Sequence, residues 1–237
     1  MSYYNHSKHQ KIRFNRSISG THAAICLDPK YRIIDGRRYS IKLGNLKISG
    51  NTIIFNLPPI ISCPGAGECK EYCYAMSRLG PIFKNVKIAR LENYKHSHEP
   101  YFIYDMVRLI KRLCKNYLYI KAVRLHEAGD FYDKLYTNKW IKIAAHFPRL
   151  TFYAYTKSIF VQDVKLPKNM RVWYSHGGKY DEQYREEDRQ ATVIKKGMPE
   201  PPGWFVCPTI GNPDMVCGRD CNYCVKGNGR RVAFHMH

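Results

Sequence analysis

"YIKAVRLHEAGDFYDKLYTNKWIKIAAHFPRLTFYAYTKS" covers residues 119–158 and decides the fold class. Residues 119–131 read as a strand feeding a loop. In 133–147, Trp140, Ile143, Ala144 and Phe147 recur at helical spacing and predict an inward face. "LTFYAYTKS" (150–158) returns to strand. Strand, helix and strand in succession predict neighbouring parallel strands.

The same alternation extends outward. "NTIIFNLPPI" (51–60) reads as a short buried strand ended by its proline pair. Residues 99–115 place Phe102, Met106, Leu109, Ile110 and Leu113 on one helical face. "NMRVWYSHGG" (169–178), "QATVI" and "GWFVC" read as further strands, and the acidic stretch 181–190 as a helix. A closed eight-fold barrel needs about 250 residues. The expectation is therefore an α/β fold: an incomplete barrel or an open, mainly parallel sheet with cysteine-rich loops. Residues 1–40 read as a basic N-terminal arm, and 41–237 as one α/β domain that includes a C-terminal cysteine knot at 207–224.

Active groups in such folds lie beyond the carboxyl ends of strands. The loops "CPGAGEC", "HEAGDF", "TKS" and "HGG" all fit that rule. Arg124, His126, Glu127, Asp130, Lys157 and His176 are then expected to converge on one rim. Arg124, Asp130 and Lys157 are the candidate catalytic residues. Against this stand plainer roles, Asp130 as a helix cap and Lys157 as a solvated strand end.

Seven of the nine cysteines sit in two knots: Cys63, Cys69 and Cys73, then Cys207, Cys217, Cys221 and Cys224. Cys26 and Cys114 are isolated, and Cys114 falls on the apolar side of a helix. The N-terminus lacks an apolar stretch, so it does not read as a secretory signal. A cytoplasmic protein with reduced thiols is expected, which argues against disulfides. Cys63-x5-Cys69-x3-Cys73 fits common zinc knuckles poorly. A [4Fe–4S] cluster tolerates varied spacing and can be held by three thiolates with one iron open. That is the arrangement of radical S-adenosylmethionine (SAM) enzymes, although their usual spacing is shorter. Cys217-x3-Cys221-x2-Cys224 has that shorter spacing, but at the wrong end of the chain. With Cys207 it completes a four-thiolate set suited to a closed cluster or to zinc. His235 and His237 near the terminus are further potential ligands.

The net charge of +20 points to DNA or RNA as a partner, because basic side chains displace counterions from phosphates. It is spread along the chain: residues 1–40 carry eight Lys/Arg against two Asp, and 84–124 carry ten against three acids. No run of apolar residues is long enough to span a membrane.

"CPGAGECKEYCYA", "VRLHEAGDFY", "FYAYTKS", "CGRDCNYC" and "VAFHMH", in that order, resemble the phage family called gene product 88. The resemblance runs from about residue 42 to the C-terminus. It implies a viral origin (hence the host cytoplasm), an iron–sulfur site and a barrel-like core related to radical-SAM proteins. It implies no known substrate. Two functional readings follow. One is an iron–sulfur protein with redox or radical-type activity on or near nucleic acid, carrying one or two [4Fe–4S] clusters and SAM. The other is a non-catalytic nucleic-acid-binding protein whose knots are structural zinc sites.

Overall fold

Residues 52–55 are buried at all four positions, as expected of a strand covered on both faces. The computed structural model describes residues 32–77, 84–212 and 214–236. In chain order they form β1 (Ile33–Ile34), β2 (Arg37–Arg38), β3 (Ile41–Leu43), β4 (Thr52–Phe55), α1 (Tyr74–Ser77), α2 (Lys84–His98) and α3 (Phe102–Asn116). Then come β5 (Ala122–Leu125), α4 (Lys134–Ala145), β6 (Thr151–Thr156), β7 (Met170–Ser175), β8 (Gln190–Ile194), β9 (Phe205–Val206), α5 (Tyr223–Lys226) and β10 (Arg231–His235).

Eight strands make one sheet in the order β3-β4-β5-β6-β7-β8-β10-β9. Only β3 pairs antiparallel with its neighbour; every other pairing is parallel. The sheet does not close, with β3 at one edge and β9 at the other, so the open form of the expected architecture is the one found.

Side-chain alternation divides the sheet into two faces. Val123, Leu125, Phe152 and Ala154 join the main core under α3 and α4. Phe55, Phe102 and Trp140 meet edge to face there, at centroid distances of 5.2–5.8 Å. Each such contact contributes about 0.5–1.5 kcal/mol beyond area burial. The opposite face, with Ala122, Tyr153, Tyr155 and Trp173, lies under the C-terminal segment through Tyr223, Cys224 and Val225.

Residues 1–31 of the expected arm, with Cys26, lie outside the described residues, as does His237. Residues 33–38 form an antiparallel hairpin whose two-residue turn, Asp35-Gly36, has positive φ at both positions. Arg37 clamps the fully buried Asp105 of α3 with two bonds of 2.7 and 2.9 Å, and the Tyr39 hydroxyl donates to it at 2.6 Å.

The helix expected over 181–190 is corrected to a single 3-10 turn at Asp181–Gln183. The Asp181 carboxylate instead accepts from the Gly177 and Gly178 amides at 2.6 and 2.9 Å, holding the loop after β7. No apolar stripe in this segment gives a helix anything to bury.

Candidate functional site: two cysteine knots

The four loops at the carboxyl ends of β4, β5, β6 and β7 interlock at one rim. Ala66 bridges Gly178, Cys69 N donates to Gly177 O at 3.0 Å, and Lys179 N donates to Gly65 O at 2.9 Å. A Cβ at Gly65 would lie 1.9 Å from the Lys157 carbonyl oxygen. Leu57 N donates to Ala128 O at 2.9 Å, which ties the β4 and β5 loops. Cys63 and Cys69 are thereby set within electrostatic reach of Asp130 and Lys157, with Cys73 close to both thiols.

Asp130 is buried and does not cap the next helix; Asp133 does, accepting from Tyr136 N at 2.6 Å. Asp130 accepts from the Phe131 amide at 2.7 Å, Thr156 Oγ1 at 2.6 Å and the Lys157 amide at 2.8 Å. Burial raises its carboxyl to about 6, and those hydrogen bonds oppose the rise. Lys157 is a half-buried pin and not a solvated strand end. Its Nζ donates to Ser175 O at 3.0 Å, Ser175 Oγ at 2.7 Å and His176 O at 2.7 Å. Burial lowers its pKa, while Cys69, Asp130, Asp181 and Cys63 hold the charge in place. With all three protons engaged, Lys157 is a fixed positive charge beside the thiols.

Of the other expected rim residues, His176 stands in the β7 loop with Nε2 3.1 Å from Gln190 Oε1. His126 turns into the helical core, where Nε2 meets the Tyr136 hydroxyl at 2.8 Å. Glu127 is bound by Asn45, by Asn56 at 3.1 Å and by Lys42 at 2.6 Å.

Arg124 does not join Asp130 and Lys157. It sits on the opposite face of β5, with its guanidinium carbon 4.4 Å from the Tyr155 ring centroid and 5.2 Å from that of Tyr153. The C-terminal knot lies there. Cys217 is bridged to Ile48 and Cys221, Cys207 N donates to Ala233 O at 2.8 Å, and Trp173 Nε1 donates to Cys224 O at 3.4 Å.

Every cysteine among the described residues is free. Burial raises the Cys63 thiol to about 12, with Asp130, Cys73 and Cys69 adding to the rise. Burial likewise raises Cys69, against the pull of Lys157. In the second knot, burial raises Cys217 to about 11 and Cys224 to about 12, opposed by Arg124 and reinforced by Cys207. Such thiols stay protonated at neutral pH, which suits a thiolate nucleophile poorly. A bound cation reverses this by displacing the proton. As the sulfurs stand, no group of three or more His, Cys, Asp or Glu side chains among the described residues could hold a metal ion. The donor chemistry of the thiols fits a thiophilic metal.

The gene product 88 family matches residues 34–232. The chain belongs to this family. Among its relatives, the Gene 88 protein of Mycobacterium phage L5 is 27% identical over 196 residues, covering 72% of this chain and 80% of the relative. The Gene 88 protein of Mycobacterium phage D29 is 24% identical over 193 residues, covering 70% and 79%. No solved structure matches the chain. The matched span includes both knots and the rim loops, and ends two residues into β10. No helix among the described residues is long and apolar enough to cross a membrane.

Cysteine spacing alone marked both knots. The interlock of the rim loops and the turn of Arg124 to the other face carried no signal of their own. The polar pins, Asp105 for the hairpin and Lys157 for the rim, became visible only through their partners.

Proposed function

We propose that this gene product 88 protein is an iron–sulfur protein of phage origin, with its cluster seated at the rim by Cys63, Cys69 and Cys73. The observation that carries this reading is that four strand-end loops lock together, with Cys63 and Cys69 near Asp130 and Lys157 and Cys73 near both thiols. A cluster held by three thiolates supplies electron transfer or an open, Lewis-acidic iron, SAM being one ligand such an iron takes. The chain's own part is mechanical and electrostatic. Gly65 and Gly67 let the loop lie against the β6 and β7 loops, where a Cβ at either would meet backbone. Lys157 places a positive charge beside thiolates that repel one another, and Asp130 anchors the Lys157 backbone from below. The net charge of +20 favours an anionic substrate, and nucleic acid is the partner we propose on that ground.

Anaerobic purification tests the reading. A brown protein with iron and acid-labile sulfide in equal amounts is expected, and Cys69→Ser should lose both from the rim. If iron is present, 5′-deoxyadenosine formed from SAM by the reduced protein identifies radical chemistry. A colourless protein holding only zinc rejects the iron–sulfur reading in favour of structural zinc sites.

A further inference from the structure

Arg124 carries a positive charge that the rim does not use. Its Nε is shielded from solvent and has no hydrogen-bond partner. No carboxylate forms an ion pair with it: Glu127, the nearest acid, is already bound by Lys42, Asn45 and Asn56. Burial opposes the charge, while Tyr153, Tyr155, Tyr74 and Glu127 sustain it. A half-buried cation with no carboxylate beside it is costly to desolvate. The groups that face it are those of the C-terminal knot. Cys224 packs in one cluster with Tyr155 and Cys207, Cys217 is bridged to Cys221, and the buried Tyr153 hydroxyl, like Arg124 Nε, has no hydrogen-bond partner.

We infer that Cys207, Cys217, Cys221 and Cys224 form a second, closed metal–tetrathiolate centre whose negative charge is the counterion of Arg124. Four thiolates around Zn²⁺ or around a [4Fe–4S]²⁺ core leave the same dianion, so the charge match holds for either cation. Arg124 neutralises part of that charge from the sheet side, and Tyr153 and Tyr155 offer hydroxyl donors to two of the sulfurs. The knot is anchored for the task by three segments: Cys217 N donates to Lys47 O at 2.9 Å, Asn51 Nδ2 to Gly218 O at 2.8 Å, and Cys207 N to Ala233 O. The centre is separate from the rim, where Lys157 is the positive charge beside the thiols, and its existence does not depend on a cluster there.

The experiment measures zinc, iron and sulfide in the full-length protein and in four variants, with a chelator competition for each. Cys221→Ser is expected to remove one centre that Cys69→Ser leaves intact. Arg124→Met is expected to weaken metal retention about 10–100-fold, the usual range for a group supporting the ligands, and Arg124→Lys to restore most of it. Zinc or iron with sulfide at this position distinguishes the two sources of the dianion. A wild-type protein with four freely reactive C-terminal thiols and no metal overturns the proposal. So does full metal retention in Cys221→Ser. Should Arg124→Met fail to fold, the chelator competition on Arg124→Gln decides, and retention unchanged from wild type in that variant overturns the role of Arg124 as counterion.

Discussion

Gly65 stands against the carbonyl oxygen of Lys157 so closely that a Cβ at position 65 would lie 1.9 Å from it. Backbone meets backbone here, so no side chain can swing aside. Gly65→Ala is expected to push the cysteine loop off the β6 end and to destabilise the fold by about 1–3 kcal/mol. Metal loading of the rim reads the first effect, and urea denaturation reads the second. An unchanged midpoint would mean that the loop has room to shift.

Lys157 holds the ends of β6 and β7 together with three donated bonds. Lys157→Met takes a donor from Ser175 Oγ and from His176 O, while Ser175 O keeps the Tyr184 hydroxyl at 3.2 Å, at a cost of about 2 kcal/mol. If Lys157 were a solvated strand end, the change would lie within about 0.5 kcal/mol, as for an ordinary surface site. Thermal denaturation separates the two outcomes.

Asp105 ties the N-terminal hairpin to α3. Removing it strands the Arg37 guanidinium and the Tyr39 hydroxyl, so Asp105→Ala should destabilise by about 3 kcal/mol, at the lower end of the range for breaking a buried pair because Arg37 is partly solvated. Hydrogen exchange should show faster opening of residues 33–39, well ahead of β5 and β6. Equal exchange in variant and wild type would show that the hairpin is held by other contacts.

His126 gives the fold a pH dependence. Burial, with Arg124 adding, depresses its pKa from the ordinary 6.5 to about 3. The unfolded chain therefore binds a proton that the native state refuses between these values. Stability from this group is complete above pH 6.5 and falls as the solution is acidified, by about 1.4 kcal/mol per pH unit. Asp130 has the opposite sign, since a raised carboxyl loses stability as pH rises toward 6. Comparing wild type with His126→Leu isolates the histidine term: the stability difference between the two should shift steadily across pH 4–6. A constant difference would place the histidine in water.

Much of the architecture was legible in the chain. The helices at 102–116 and 134–145 follow the apolar spacing that Trp140, Ile143 and Leu113 display. Strands β4 to β9 fall within the stretches that composition marks. Helix α2 was not legible, because its buried positions are Arg90, Asn93, His96 and Ser97, which form no apolar stripe. Its polar inner face is satisfied by partners far along the chain, such as Ser40 N donating to Asn93 Oδ1 at 2.8 Å. Strand β10 was hidden for a related reason: "RVAFH" reads as a tail until its neighbours β8 and β9 flank it.

The amino-acid sequence by itself determined the alternation of strand and helix, the two groups of cysteines, and the rule that places loops at strand ends. These are local properties, set by side-chain period, thiol spacing and turn chemistry. The tertiary structure alone decided which face each charge occupies. Val123 and Leu125 went to the helices, so pleating sent Arg124 to the other side. The return of the C-terminal segment across that side is a contact between distant residues, and no local pattern encodes it. That return separates the knots and gives each its own positive charge, Lys157 at the rim and Arg124 beneath the sheet.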